Sequence, residues 1–269
     1  MKRIVTIACG MLAIVAVNAQ QKQGKVIYER VSQMQVRMQG MNEEMERMIP
    51  KSRTDKFELT FGNNQSLWKA AEQEGEDDVI SGGGGEGGQF QIRMVAAGGN
   101  DVVYCNFETS KTVERRELMD KTFIIDDSLR PMKWKMTGET KQILNHNCMK
   151  ATATRIFKRP QMSMENGKME RTEVTDTSLI IAWIASDIPV SAGPAEYQGQ
   201  LPGLILEMDV ANGRQVFKAV SIEEKADLAL IKEPTGKKKL TQEEFRKERD
   251  KMFEEMQMNG GGRRVMRMN

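Results

Sequence analysis

Methionine is the residue type whose number and spacing suggest chemistry in this sequence. The chain contains 21 methionines among 269 residues, and the thioether sulfur is a soft ligand that selects Cu(I). One cluster has spacings of 4, 3, 4 and 3 residues, typical of one face of a helix, and consists of Met34, Met38, Met41, Met45 and Met48. A second cluster consists of Met162, Met164 and Met169, and a third of Met252, Met256, Met258, Met266 and Met268. The clusters suggest a Cu(I)-handling protein as one hypothesis.

A short segment, His146-Asn147-Cys148-Met149, adds further soft or borderline donors. His146 and Met149 therefore join the first methionine cluster as candidate Cu(I) ligands. The alternative is structural, because methionine is an adaptable core residue and a 4-3 spacing is also typical of a buried stripe. If residues 34–38 are part of a strand, the helical spacing is interrupted. We favour the structural interpretation and expect no cofactor, with Cu(I) as the alternative.

Arrangements that would indicate an enzyme are scarce. A serine–histidine triad needs a base beside the nucleophile, but His146 is the single histidine and no Gly-x-Ser-x-Gly segment occurs. The glycine-rich segment 82–88 is not followed by the Gly-Lys-Ser/Thr of a phosphate-binding loop. We expect a non-enzymatic protein, and a hydrolase is our third hypothesis.

The N-terminus has the pattern of a secretory signal peptide, which we assign to residues 1–19. Lys2 and Arg3 precede an apolar run, and Val17-Asn18-Ala19 supplies small residues at the cleavage site. Its removal leaves 38 of the 40 Lys and Arg residues against 38 Asp and Glu. A net charge near zero argues against nucleic-acid binding. We predict an exported protein, periplasmic or secreted, without a transmembrane segment in the mature chain.

Export gives the two remaining cysteines, Cys105 and Cys148, an oxidising surrounding in which disulfides persist. A bridge between them would close a loop of about 40 residues and stabilise the chain by about 3–4 kcal/mol. The alternative is two separately buried thiols.

Short alternating segments separated by turn residues must position these candidates. Phe57, Leu59 and Phe61 alternate as in a strand, and similar segments follow one another from Phe90 onward. We predict a mainly β fold, a curved antiparallel sheet or half-open barrel with a C-terminal helix. The β domain is assigned to residues 20–235, with a flexible acidic and glycine-rich loop at 70–89.

Residues 236–269 are assigned to the C-terminal helix and a disordered tail. Thr241 and Glu244 have the spacing of a capping box, which predicts the start of the helix. Asn259-Gly260 predicts its end.

A stiff turn, Pro202-Gly203, leads directly into an apolar segment. Proline fixes its own φ, and a type II turn needs the following residue at positive φ, which we predict for Gly203. The alternation that follows should put Leu204 and Leu206 on one face of a strand and Ile205 on the other.

Three stretches, KQILNHNCMKA, AWIASDIPVSAGP and LPGLILE, have the order and spacing found in one protein family. In them the sequence resembles the GLPGLI family, secreted or periplasmic proteins of Bacteroidetes. Gln200 departs from the pattern, because it stands where the first motif glycine is expected. The motif positions are Lys141, Cys148, Trp183, Pro189, Gly193, Pro194, Leu201, Pro202 and Gly203.

The resemblance implies a β-rich envelope protein and carries over no catalytic residues. Our leading hypothesis is an exported, non-enzymatic cell-envelope protein that binds an envelope protein partner or a hydrophobic, lipid-like ligand on a concave sheet.

Overall fold

The structure, a computed structural model, describes residues 22–34, 50–72, 79–82, 90–93, 98–165 and 168–260. Most of these residues lie in strands, and one α-helix follows near the C-terminus. The strands are β1 (Gly24–Gln33), β2 (Ser52–Gly62), β3 (Gln65–Ala70), β4 (Val79–Gly82), β5 (Phe90–Arg93), β6 (Val102–Asn106), β7 (Lys111–Leu118), β8 (Lys121–Ser128), β9 (Lys135–Ile143), β10 (His146–Glu165), β11 (Lys168–Ala185), β12 (Leu204–Val210), β13 (Gln215–Glu223) and β14 (Lys239–Leu240). The helix is α1 (Gln242–Gly260), and two 3₁₀ turns occupy Ala195–Tyr197 and Leu228–Leu230.

Twelve strands form one open sheet in the order β14-β8-β7-β6-β3-β2-β1-β13-β12-β11-β10-β9. Neighbouring strands are antiparallel except β14, which runs parallel to β8. The predicted mainly β fold with a C-terminal helix is confirmed. A separate hairpin, β4–β5, begins inside the segment predicted as a loop, and the rest of 73–89 lies outside the described residues.

The strands form where the sequence alternates. In β1 every second residue is buried from Gly24 to Arg30, because side chains alternate between the faces of a strand. β2 and β3 are joined by Asn63-Asn64, both at positive φ, a conformation that asparagine adopts in tight hairpins. The pairing of β1 with β13 is interrupted by a register shift between Ile27 and Tyr28.

An aromatic cluster fills the interior of the curved sheet. Trp68 stacks on Phe57 with ring centroids 4.9 Å apart and also contacts Tyr28 and Phe217. The same core contains residues of β6 and of β10 to β12, strands far apart in the sheet order, so the sheet must curve to bring them together.

The predicted capping box starts the helix. The Thr241 amide donates to Glu244 Oε2 at 2.7 Å, and the Glu244 amide donates to Thr241 Oγ1 at 3.2 Å. Phe245 and Met252 are buried, and the Phe245 ring meets Phe123 of β8 at 5.3 Å. The helix reaches Gly260, the last residue that the structure describes. Within the described ranges, no helix is long and apolar enough to cross a membrane.

The two cysteines do not form the disulfide that we considered. Cys105 and Cys148 are free thiols, and both are buried. Cys105 Sγ lies 3.7 Å from Thr112 Oγ1, whereas Cys148 Sγ lies 3.6 Å from the His146 carbonyl. Burial raises the pKa of Cys105 to about 12 and that of Cys148 to about 11. Both thiols are therefore protonated at neutral pH and behave as small apolar core groups.

Candidate ligand-binding cavity

The three motif stretches meet on neighbouring strands β9 to β12. Lys141 Nζ lies 2.7 Å from Glu207 Oε1 and 4.3 Å from the centre of the Trp183 ring. Lys150 Nζ pairs with Glu139 at 2.9 Å on the same surface. These charges neutralise one another and are partly exposed, so each pair contributes little stability, about 0–1 kcal/mol. Both lysines of the cluster are paired with carboxylates, so neither offers a free charge to a ligand.

The predicted turn at Gly203 is wrong in its conformation. Gly203 is not at positive φ. Instead, an added Cβ would lie 2.7 Å from the Ala185 carbonyl oxygen, so the motif glycine is required for close backbone approach. The predicted strand is present as β12. Leu204, Ile205 and Leu206 are all buried, so both faces of the strand are covered at its start.

The loop of residues 186–203 packs closely on β12. A Cβ at Gly193 would lie 2.6 Å from Ile205 Cδ1. Pro194 caps the 3₁₀ turn and is buried, as is Leu201, whereas Pro202 is exposed. Pro189 lies apart from these residues and lines a separate cavity of about 480 Å³.

Gly199 and Gln200 connect this loop to the segment after β8. Gly199 is the motif-region glycine at positive φ, +69°. Gln200 Oε1 accepts from the Met132 amide at 2.9 Å, and Gln200 Nε2 donates to the Arg130 carbonyl at 2.9 Å. A glycine at position 200 would lose both hydrogen bonds. Gln200 therefore fixes one wall of a cavity.

That cavity has a volume of about 420 Å³. It lies between β7, β8, the first turns of α1 and the loop of residues 186–203, which we call the motif loop. Its walls are rich in charge. Four arginines line it, namely Arg116, Arg130, Arg155 and Arg246. Three carboxylates line it as well, namely Glu114, Asp127 and Glu196.

Two of the arginines are held by strong pairs. Arg116 lies 2.7 Å from Glu114, and Arg130 lies 2.6 Å from Asp127. These geometries are typical of charge-assisted hydrogen bonds. Both guanidinium groups are therefore already committed to the protein.

The other two arginines are less satisfied. Arg155 approaches Glu196 at only 3.4 Å, and its buried Nε has no hydrogen-bond partner. Arg246 has no ion-pair partner in the part of the chain that the structure describes. A buried donor without a partner costs free energy, and a ligand acceptor would remove that cost at Arg155.

The pKa values of two cavity carboxylates are shifted in opposite directions. Desolvation raises the pKa of Glu114, although Arg116 opposes the shift. For Asp127, desolvation also acts to raise the pKa, but hydrogen bonds from the amides of Gln242 and Ser128 and from Arg130 outweigh it and lower the pKa. Four arginines thus face three carboxylates, and one of the carboxylates is displaced towards its neutral form. The cavity favours an anionic ligand.

Of the seven predicted Cu(I) ligands, the structure describes Met34, His146 and Met149. Met34 follows β1, whereas Met38, Met41, Met45 and Met48 lie outside the described residues. His146 Nδ1 lies 2.7 Å from Asp187 Oδ2. Cys148 and Met149 are consecutive strand residues on opposite faces, and Met149 packs against the core. No group of three His, Cys, Asp or Glu residues suited to a metal occurs among the described residues.

The cavity residues were missed by sequence reasoning because they come from distant strands. Glu114, Arg155 and Arg246 are scattered over more than a hundred residues and belong to no local motif. The available signal was Gln200, a polar residue where the motif expects glycine.

Comparison with protein families gives one match, to a family described as "Protein of unknown function (Porph_ging)", over residues 134–207. The matched segment begins at Trp134, just after β8, and ends with Glu207, and so contains the motif cluster and the whole motif loop. No curated protein matches the chain.

Among solved structures, two crystal forms of PNGF-II are similar to this chain. The C2 form gives a TM-score of 0.44 at 18% identity, and the P21 form gives 0.45 at 16%. The matches cover 82% and 81% of this chain but only 31% of PNGF-II. The likeness is too distant to inform function.

Proposed function

We propose that this chain is an exported, non-enzymatic binding protein of the cell envelope that holds a small polar ligand with an anionic group in the arginine-lined cavity. The observation that carries the proposal is the buried, unpartnered Nε of Arg155. Export is supported by the signal-peptide pattern of residues 1–19. Membership of the GLPGLI family is supported by the three motif stretches and by the family match that contains them.

The ligand should be polar because polar and charged groups line the cavity, in contrast to the interior of the sheet. The apolar interior is occupied by its own side chains, whereas the cavity is lined by guanidinium, carboxylate and amide groups. Arg155 lies on β10 and Arg246 lies on α1, and both line the cavity. A carboxylate or phosphate between them would accept hydrogen bonds from both and would neutralise the excess positive charge.

The test compares glucuronate with glucose, and inorganic phosphate with buffer alone, by NMR titration of the mature protein. We expect glucuronate and phosphate to shift resonances of cavity residues and glucose to leave them unchanged. Arg155→Ala should weaken binding about 10-fold or more, because a hydrogen bond to a charged group contributes about 1.5–3 kcal/mol.

Arg246→Ala should also weaken binding, and Arg249→Ala is its matched control. Both residues lie on α1, but Arg249 pairs with Asp250 and does not line the cavity. Equal effects of the two helix variants, or equal binding of glucose and glucuronate, would refute an anion site in this cavity.

A hydrolase is the second candidate, because the cavity contains the carboxylates Glu114 and Glu196. The charge of Glu196 contributes to the raised pKa of Glu114, and a carboxyl group with a raised pKa can serve as a general acid. A panel of chromogenic glycosides tests this possibility. Turnover that Glu114→Gln abolishes while ligand binding persists would favour the hydrolase over the binding protein.

A further inference from the structure

A second cavity lies at one end of the strands, where the β2–β3 turn, the residue after β6 and the motif loop meet. Its volume is about 480 Å³, within the range of about 300–1,000 Å³ that is common for small-molecule sites. It shares no lining residue with the arginine-lined cavity. We call it the amide cavity, after Asn63 and Asn64, the two residues of the β2–β3 turn that line it.

The walls of the amide cavity are fixed by backbone hydrogen bonds. The Phe107 amide donates to the Asn64 carbonyl at 2.8 Å, which joins the end of β6 to the β2–β3 turn. The Gly199 amide donates to the Ser191 carbonyl at 2.6 Å and closes the motif loop on itself. Asn63 and Asn64 are both at positive φ, the conformation of a two-residue hairpin turn. The cavity is therefore formed before a ligand arrives, which lowers the entropic cost of binding.

The polar side chains of the amide cavity can both donate and accept hydrogen bonds. Asn63, Asn64 and Ser191 line it, and their side chains make no hydrogen bond within the described part of the chain. Amide and hydroxyl side chains each supply a donor and an acceptor, as does a hydroxyl group of a ligand. Lys22 is the one charged residue among the described residues that line the cavity, and it is exposed. The amide cavity thus lacks the arginines and carboxylates of the arginine-lined cavity and suits a neutral ligand.

Apolar side chains also line the amide cavity. Phe107 and Val190 are half-buried, and both pack against the core. Pro189, adjacent to Val190 in the chain, is exposed and lines the same cavity. Burial of this apolar surface against C–H groups is favourable, whereas burial of the asparagine amides without partners is costly. The matching ligand therefore combines hydroxyl groups with an apolar face.

We propose that the amide cavity binds a neutral saccharide. A pyranose ring carries hydroxyl groups around its edge and C–H groups on its faces. It can therefore hydrogen-bond with the two asparagines and Ser191 while one face packs on Phe107. The site is independent of the anion site proposed above. It also gives the motif loop two roles, since Pro189 and Ser191 line the amide cavity whereas Gln200 lines the arginine-lined cavity.

The experiment is an NMR titration of the mature protein with three neutral disaccharides, namely cellobiose, maltose and lactose. At least one of them should shift the side-chain amide resonances of Asn63 and Asn64 and leave that of Gln200 unchanged. Sorbitol has hydroxyl groups but no ring, and it should bind about 10-fold more weakly because it offers Phe107 no preformed apolar face. Inorganic phosphate should leave the resonances of both asparagines unchanged.

A double variant separates the side chains of the turn from its backbone. Asn63→Gly, Asn64→Gly removes both side-chain amides but retains the turn, because glycine adopts positive φ readily. It should weaken saccharide binding about 10-fold or more, the loss expected for two hydrogen bonds between neutral groups. Ser191→Ala leaves the turn untouched and should weaken binding about 5-fold, the loss expected for one such bond.

Asn145→Gly is the matched control. Asn145 is also at positive φ in a two-residue turn, between β9 and β10, but it does not line the amide cavity. This variant should bind saccharide like the wild type. Urea denaturation should show that both glycine variants remain folded.

Three results would overturn the proposal. The first is that none of the three disaccharides shifts the resonances of Asn63 and Asn64, or that phosphate shifts them instead. The second is that the double glycine variant and Ser191→Ala bind saccharide as tightly as the wild type. The third is an equal loss of binding in Asn145→Gly, which would assign the effect to the turns and not to the cavity. The arginine-lined cavity is followed separately through Gln200, so failure of one site is distinguishable from failure of the other.

Discussion

The sheet interior and the arginine-lined cavity differ in how well their polar and charged groups are paired. In the interior, the aromatic cluster is neutral and its buried polar groups are few. Tyr28 has the clearest of them, a hydroxyl that donates to the Ile205 carbonyl at 2.5 Å. In the cavity, four arginines face three carboxylates, and the buried Nε of Arg155 has no hydrogen-bond acceptor. A region whose polar groups are all paired contributes to the stability of the fold. A region with an unpaired buried donor can gain free energy when a ligand supplies the missing acceptor. Substitutions should therefore separate stability from binding.

Trp68→Ala should have the largest effect on stability. The ring is 3% exposed and contacts three other aromatic rings. Its removal leaves a cavity in a close-packed core and should lower the free energy of unfolding by about 3–5 kcal/mol. Urea denaturation followed by circular dichroism measures the loss.

The matching cavity substitution is Arg246→Ala, which should change the free energy of unfolding by less than about 0.5 kcal/mol. If Arg246→Ala destabilised the protein as much as Trp68→Ala, the division between a stabilising interior and a binding cavity would be wrong.

Gly203→Ala should have an intermediate effect, because it acts where the motif loop joins the core. An added Cβ would meet the Ala185 carbonyl oxygen, and the backbone would have to move, at a cost of about 1–3 kcal/mol. Pro202→Ala, at the exposed neighbouring position, should cost at most about 1 kcal/mol. The denaturation midpoints of the two variants measure the difference. Equal midpoints would show that the close approach is unimportant.

The fold was more predictable than the site because its signals are local. Alternation in residues 57–61 and the capping box at Thr241 each depend on a few adjacent residues, and both predictions are confirmed. Gly203 shows the limit of reasoning from adjacent residues. The Pro-Gly pair predicted a positive φ, but glycine is required there because the backbone approaches Ala185, at the end of β11. The cavity depends entirely on such distant neighbours, so its arginines carried no signal in the sequence.

Thr241→Ala should have a smaller and more local effect, because it weakens the helix that forms the outer wall of the cavity. Loss of an N-cap side chain costs about 1 kcal/mol. Hydrogen exchange should become faster in α1 and remain unchanged in β1 and β2, which surround the aromatic interior. Uniformly faster exchange across the sheet would mean that helix and interior unfold as one unit.

Glu114→Gln should give the smallest effect and the most specific one, a change in how stability depends on pH. The folded-state pKa of Glu114 is raised by burial. Its contribution to stability is therefore fully present below the pKa of the unfolded chain and is lost as the pH rises through the folded-state pKa. The amide does not ionise, so the variant should gain stability relative to the wild type between pH 4 and pH 7.

Asp127→Asn is the matched control, because its cavity carboxylate has a lowered folded-state pKa. Its stabilisation is present above the pKa of the unfolded chain and is lost as the pH falls. The asparagine variant should therefore be less stable than the wild type at pH 7 and approach it at low pH. Urea denaturation at several pH values measures both trends. Opposite trends would show that the cavity stabilises one ionised carboxylate, Asp127, and destabilises the other, Glu114. This unequal satisfaction of charged groups distinguishes the cavity from the interior. Parallel trends would show that the cavity treats its carboxylates alike and would remove the electrostatic basis for an anion site.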